Sequence, residues 1–430
     1  MGLSPSQQKA FDLCMSGQNI LITGPGGSGK TELIKHIYNR LLKVKKIELT
    51  ALTGVAAVQI HEQAKTIHSW AGIGLGDLPV NSYINKIKNS TALKNKWKSI
   101  EVLVIDEVSM MTDKLLEILN EIGRVIRNNK SLFGGIQIIL SGDFYQLPPV
   151  KSNSKFCFES CVFKEGFTHK IILSTIFRQK DPTLVNILNN IRLGIITTKD
   201  IKKLKERMNI NPEGSIQPTY LLPKKTCVES INNEKLDLIN EAEIYLYEKK
   251  IVEDLPLSKE QTEYMKMLTA NEYIQELEFL NKNTMVQEKL RLKKGAQVMS
   301  TINILEDEKL IISNGTQGII TKFINGMPMV NFENGVSRVV NLHTWTSHTI
   351  PCCGIIQLPI ILSWALTIHK AQGCTLKVCR LNIGNDIFEA GQTYVALSRI
   401  KTLDGLYLDE FNPYKIKVNA KVKDFYLNIK

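Results

Sequence analysis

Short apolar runs that end in polar or glycine-rich residues recur through the first part of the chain, at positions 20–22, 47–49, 102–105, 136–140 and 171–173. A run of three to five apolar residues between turn formers is the pattern of a strand buried on both faces. The stretches between them carry helical spacing, as at Leu33, Ile34, Ile37 and Leu41. Strands alternating with helices predict a parallel sheet covered by helices. A second α/β region begins near Asp181. It has a helix marked by Leu184, Ile187, Leu188 and Ile191, a strand at 220–222, and further strand and helix signals from Ile360 to the end. Between about 293 and 342, short β-like segments separated by "SNGTQG", "NGMP" and "ENGV" predict a small β-barrel or hairpin insertion. The stretch 241–283 is acidic and helical in tendency.

The first apolar run leads into "GPGGSGKT", and the helix pattern follows at once. Glycines let successive backbone N–H groups turn inward around an anion, and the next helix points its positive end at the same place. The spacing Gly-x-x-x-x-Gly-Lys-Thr between a strand and a helix is that of a phosphate-binding P-loop. Gly24, Gly26, Gly27, Ser28 and Gly29 are the expected cradle, Lys30 the group reaching the β- and γ-phosphates, and Thr31 a ligand of Mg²⁺, so ATP and Mg²⁺ are the expected substrate and metal.

Composition narrows the partner. The chain has 430 residues, 43% of them apolar, enough for two to four domains with real cores. Its 54 Lys and Arg exceed its 42 Asp and Glu by 12, which favours an extended polyanion over a membrane surface. The eight cysteines form no paired CxxC motifs, so a zinc ribbon or disulfide framework is not indicated; Cys157 and Cys161 read as core thiols. The most apolar stretch, 355–368, is broken by Gln357, Pro359 and Ser363 and is too short to span a bilayer, so a soluble intracellular protein without a membrane partner is expected.

A P-loop needs a carboxylate site, and "VLVIDEVSM" supplies Asp106 and Glu107 at the tip of a strand. Asp106 fits the water shell of the metal, and Glu107 the group that orients or deprotonates the attacking water. A later strand in "IILSGDFYQLPPV" ends near Gln146, placed to touch the γ-phosphate. Arg178 in "STIFRQKD" and Arg399 in "YVALSR" lie far apart in sequence. Hydrolysis builds charge on the transferred phosphoryl group, and arginines from separate regions neutralise it when a cleft closes. A small-molecule kinase would need neither the two separated arginines nor the basic excess. A decayed nucleic-acid-binding module would not be expected to keep Lys30, Asp106, Glu107 and Arg399 together.

With these motifs in order, the sequence resembles the Pif-type (petite integration frequency) DNA helicases of superfamily 1B. The resemblance is carried by "LSPSQ", "TALTGVAA", "TIHSWAGIGLG", "DEVSMMTDKLLEIL", "FGGIQIILSGDFYQLPPV", "FRQKDPTLVNILNNIRLG", "LKKGAQVM", "SNGTQGIITKF", "SWALTIHKAQGCTL" and "GQTYVALSR". It implies two RecA-like P-loop domains with parallel sheets and a small inserted SH3-like β domain. The implied division is a first domain over 1–180 with a wedge insertion at about 61–98, and a second over 181–430 with an insertion at about 241–355. The implied activity is ATP-dependent 5′-to-3′ translocation on single-stranded DNA with unwinding of duplex or structured DNA, in replication, repair or recombination. The alternative is an ATP-hydrolysing strand-binding protein without processive unwinding.

The resemblance also implies that a glutamine of "LSPSQQ", Gln7 or Gln8, reads adenine, and that Gly373 adjoins the nucleotide. Thr53, His68, Thr367, His369, Lys370 and Thr375 are the implied strand contacts. Their hydroxyls and bases suit sequence-blind phosphate contacts. Trp70 and Phe144, the latter in competition with Tyr145, offer flat faces for bases, with a core role as the alternative for Trp70. The expected partners are single-stranded DNA and single-strand/duplex junctions, met by a monomeric motor in the nucleus or another DNA-containing compartment. The chain opens almost at the adenine motif and ends soon after the last one, which reads as a bare motor. Its abundance of Ile, Lys and Asn suggests an AT-rich genome.

Overall fold

The computed structural model describes residues 2–61, 64–74, 76–149, 154–212, 216–266, 269–284, 286–306, 309–346, 350–372 and 374–429. Six parallel strands form the first sheet: β1 (Ile20–Thr23), β2 (Ile47–Ala51), β3 (Lys65–Thr66), β4 (Val102–Asp106), β5 (Gln137–Gly142) and β6 (His169–Ile172). Their spatial order is β3-β2-β4-β5-β1-β6. All five apolar runs expected in this half became strands, and the central ones, β1, β4 and β5, are buried on both faces, each face with its own cover. Ile20, Ile22, Val102, Val104 and Ile139 pack with Leu33, Ile34 and Ile37 of the helix Lys30–Leu41. The alternate positions Leu21, Leu103, Ile105, Ile138 and Leu140 pack with Leu115, Leu116 and Leu119 of the helix Asp113–Arg127.

The second sheet has four parallel strands in the order Ala365–Thr367, Thr219–Leu222, Cys379–Ile383 and Leu406–Phe411. Leu184, Ile187, Leu188 and Ile191 of the helix Pro182–Arg192 bury against it, as their spacing requires. The two parallel sheets are the RecA-like halves expected. The inserted β region is a five-stranded antiparallel sheet in the order Ser337–Val339, Met327–Phe332, Gln317–Ile324, Gln297–Ser300 and Ile360–Leu362, built around Val298, Ile320, Val330 and Phe332.

Three placements differ from the sequence reading, the first being that the stretch 241–283, read as helical, opens with the strands Tyr245–Glu248 and Lys250–Val252. Ile360–Leu362, assigned to the second α/β region, pairs instead with Gln297–Ser300 in the antiparallel sheet. The helix Ala420–Leu427 follows the second sheet in the chain but packs on the first core, where Val422 is buried and the Phe425 ring stacks on Phe158 at 4.4 Å. Of the two cysteines read as core thiols, Cys157 is buried and Cys161 is exposed.

Candidate active site

β5 lies between β1, which feeds the P-loop, and β4, which ends in Asp106. The phosphate loop and the carboxylates therefore stand one strand apart at the carboxyl edge of the sheet, where ligands of open parallel sheets bind. The loop between β1 and the helix Lys30–Leu41 is tight. Gly27 has φ +84°, and a Cβ there would come within 2.6 Å of the Arg178 Cβ; Gly29 has φ +79°, and a Cβ there would come within 2.9 Å of Gln7 Nε2. Lys30 donates to the carbonyl oxygens of Gly24 and Pro25 at 2.8 and 3.0 Å. Burial lowers its pKa against the pull of Asp143, Glu107 and Asp106. The Ser28 hydroxyl is buried with no hydrogen-bond partner among the described residues.

A cleft of about 920 Å³ is lined by Gly26, Gly27, Gly29, Lys30, Thr31, Asp106, Glu107, Gln146, Arg178 and Arg399. These predicted ATP-site residues, drawn from both halves of the chain, thus line one cleft. Arg399 is 2% exposed. It donates to Val395 O at 2.8 Å and to Ser398 Oγ at 2.6 Å. Burial, then the neighbouring Arg178, brings its pKa down to about 10, opposed by Glu107. Arg178 donates to Ser398 O at 3.3 Å, and burial lowers its pKa as well. Burial raises Asp106, and burial followed by Asp106 raises Glu107 to about 6. Like charges are crowded on both sides of the cleft. A polyanion relieves the arginines and Lys30, and a divalent cation relieves the two carboxylates, so the donor set fits a nucleotide with a hard metal ion. Glu107 has φ 56° and ψ 41°, an uncommon left-handed conformation for a residue with a side chain.

Gln7 is buried, its Oε1 accepting from Ser4 N at 2.9 Å in a capping box and its amide lying against Gly29. Gln8 is exposed and donates to Asp12 at 2.8 Å on the solvent side of the same helix. Gln7, and not Gln8, therefore lies beside the phosphate loop. Phe177 also lies against Gly29 and lines the cleft, 48% exposed, with its backbone N–H on Gly27 O at 2.8 Å. Sequence reasoning passed over Phe177, although its position directly before Arg178 was a signal.

Also missed was a buried hub at Asp143. Arg192 donates to both its oxygens at 2.8 and 2.9 Å. The Tyr426 hydroxyl lies 3.1 Å from Asp143 Oδ1, and that of Tyr394 lies 3.4 Å from Oδ2. Tyr394 Oη in turn accepts from the P-loop N–H of Gly26 at 2.8 Å, and Tyr426 Oη is 2.5 Å from Thr23 Oγ1 at the end of β1. Gln179 donates to the carbonyls of Ser398 and Ile400, both at 3.1 Å, bracing the segment that carries Arg399.

Two strand-contact expectations are corrected. Trp70 is 0% exposed and packs on Trp97 with ring centroids 4.8 Å apart. Phe144 is 1% exposed within Phe156, Phe158 and Phe425. Both are core rings with no face free for a base, and Tyr145 is likewise buried, stacked on Tyr426 at 4.6 Å. Thr53 and Thr367 lie at or just past strand ends, where their hydroxyls accept from the N–H groups of Ala56 and Lys370. His68, His369 and Lys370 are half-buried, and burial lowers the pKa of each. Thr375 lines the nucleotide cleft. Gly373 lies outside the described residues.

A family model described as PIF1-like helicase matches residues 2–201. The crystal structure of Pif1 helicase from Candida albicans superposes with a TM-score of 0.82 at 33% identity, covering 100% of both chains. The chain belongs to the PIF1-like helicase family. An ATP-dependent DNA helicase PIF1 of Xenopus laevis is 34% identical over 99% of this chain and 64% of its own length. The chain thus spans less than two thirds of the first curated relatives that it matches. A Bacteroides Pif1 helicase solved with ADP-AlF3 and single-stranded DNA is 28% identical, with a TM-score of 0.70 over 99% of this chain and 97% of that one. No helix among the described residues is long and apolar enough to cross a membrane.

Proposed function

We propose that this protein is an ATP-dependent DNA helicase that moves 5′ to 3′ along single-stranded DNA and unwinds duplex at single-strand/duplex junctions, within a DNA-containing compartment. The observation that carries the reading is the meeting of Lys30, Asp106 and Glu107 from the first half with Arg399 from the second in one cleft. Membership of a helicase family and the DNA complex of the Bacteroides relative support it. Both halves of the site come from one chain, which suits a monomeric motor.

In this mechanism the P-loop amides and Lys30 bind the β- and γ-phosphates, while Gln7 and the Phe177 face hold the base. Thr31 and Asp106 would hold Mg²⁺, which when bound would draw charge from the phosphate oxygens. Glu107 orients and deprotonates the attacking water, and Gln146 contacts the γ-phosphoryl group. Arg178 and Arg399 neutralise the charge that develops there, so closure of the two sheets and hydrolysis become one event. Thr53, His68, Thr367, His369 and Lys370, just past strand carboxyl ends, contact strand phosphates.

The deciding measurement is ATP hydrolysis with and without single-stranded DNA, followed by unwinding of duplexes bearing a 5′ or a 3′ overhang. Stimulation together with unwinding only from the 5′ overhang is expected. Hydrolysis that is stimulated but never coupled to strand separation would favour a strand-binding ATPase. Strand affinity should fall steeply with salt and vary little with sequence, since phosphate contacts release counterions and carry no base information. A salt-insensitive preference for one duplex sequence would contradict the reading.

Gln7→Ala is expected to raise KM for ATP about tenfold, the loss of roughly one good hydrogen bond to substrate. Gln8→Ala should leave KM as it was, and equal effects would remove Gln7 from the base site.

A further inference from the structure

Gln372 joins the two sheets at a point that the roles above do not use. Its side chain is almost fully buried, and Nε2 lies 3.0 Å from Glu107 Oε2 and 3.4 Å from Gln146 Oε1. An ionised carboxylate only accepts hydrogen bonds, so the end of the amide facing Glu107 is the NH₂ group. With Gln146 Oε1 occupied in this way, the group left to Gln146 is its own NH₂ donor, which is what a phosphoryl oxygen requires.

Gln372 belongs to the tight turn that follows the strand Ala365–Thr367. The N–H of Lys370 donates to Thr367 Oγ1 at 3.1 Å, that of Ala371 to Thr367 O at 3.0 Å, and that of Gln372 to His369 O at 3.2 Å. The Ala371 carbonyl also faces Arg399 Nη1 at 3.5 Å. Thr367, His369 and Lys370 therefore share one hydrogen-bonded body with Gln372. A shift of about 1 Å in that body is enough to break a 3.0 Å hydrogen bond.

We infer that Gln372 is a positioning residue that ties occupancy of this turn by a DNA strand to the orientation of Glu107 and Gln146. The inference rests on the motor reading above and adds the route by which strand binding reaches the water-orienting carboxylate. A turn held in place by a strand keeps the NH₂ group on Glu107; a turn free to shift lets the carboxylate leave its attack geometry.

The test compares Gln372→Met, which keeps the length and loses the amide, with Gln372→Glu, the closer isostere, which sets a like charge against Glu107. ATP turnover is measured with and without oligothymidylate, together with KM for ATP and oligothymidylate affinity in the absence of nucleotide. Stimulated kcat is expected to fall about tenfold to a hundredfold, as for loss of a hydrogen bond to a charged group. The stimulation ratio should shrink, while KM and strand affinity stay within about twofold of wild type. Gln372→Glu should be the more impaired variant, an order opposite to what shape alone would give. A wild-type stimulation ratio in both variants would overturn the inference. So would equal losses of basal and stimulated turnover, or a parallel fall in strand affinity that marks a packing role. Wild-type enzyme without any DNA stimulation would instead overturn the motor reading itself.

Discussion

ATP turnover in Arg399→Ala is expected to fall about a thousandfold while nucleotide binding stays near wild type. The missing group is the arginine proposed to face the transferred phosphoryl, and losses for an absent arginine finger run over about three to five powers of ten. The lower end is expected because Arg178, proposed to face the same charge, is still present. Binding should survive, since the P-loop amides, Lys30, Thr31 and Gln7 all come from the first half of the chain. Arg399 is also braced by Val395 O and Ser398 Oγ, so Arg399→Lys, which keeps a charge without the forked donors, separates loss of fold from loss of chemistry. The same substitution should uncouple the sites. If the cleft closes through Arg399, strand affinity with a non-hydrolysable ATP analogue differs from affinity without nucleotide in wild type, and the difference disappears in Arg399→Ala. A difference that survives unchanged would mean that another residue links the sites.

What the sequence made legible was local. The strand-loop-helix of the P-loop, the acids at the end of β4 and the helix Pro182–Arg192 each depend on residues within a few positions of one another, so periodicity and turn chemistry find them. Where burial is decided from a distance, the same patterns are silent. Trp70 and Phe144 carry rings that suit a base or a core equally well. The choice was made by Trp97 in one case and by Phe156, Phe158 and Phe425 in the other. Ile360–Leu362 is a three-residue apolar strand that either sheet would accept, and its partner Gln297–Ser300 lies some sixty positions earlier. Arg399 could be placed near the phosphates only through the motif around it, since arginines are common and mostly solvated. The hub at Asp143 had no local signature, because its partners Arg192, Tyr394 and Tyr426 come from three separate helices.

That hub carries the largest expected effect on stability. Asp143→Ala should destabilise the protein by about 3–5 kcal/mol, the range for removing one partner of a buried ion pair, because Arg192 keeps its charge in a site that no longer answers it. The geometry is the demanding kind: Asp143 is fully buried, both of its oxygens accept from Arg192, and the guanidinium sits over the Tyr145 ring at 4.5 Å. Two tyrosine hydroxyls that bond Asp143 also hold the strand end at Thr23 and the P-loop N–H of Gly26, so the damage should reach the nucleotide site as well as the melting temperature. For domains of this size about 1 kcal/mol moves the midpoint by some 2–4 °C, so a drop of roughly 10 °C is expected in a thermal melt. Tyr426→Phe keeps the ring stacked on Tyr145 and loses only the hydroxyl, and should cost about 1–2 kcal/mol. The informative control replaces both charges, as Asp143→Leu with Arg192→Leu. If the penalty lies in the orphaned arginine, the double variant melts higher than Asp143→Ala, because no buried charge is left without a partner. An Asp143→Ala protein that melts within about 2 °C of wild type would show that water reaches Arg192 readily. The hub would then not be the element that holds β1, the P-loop and the closing helix in one arrangement.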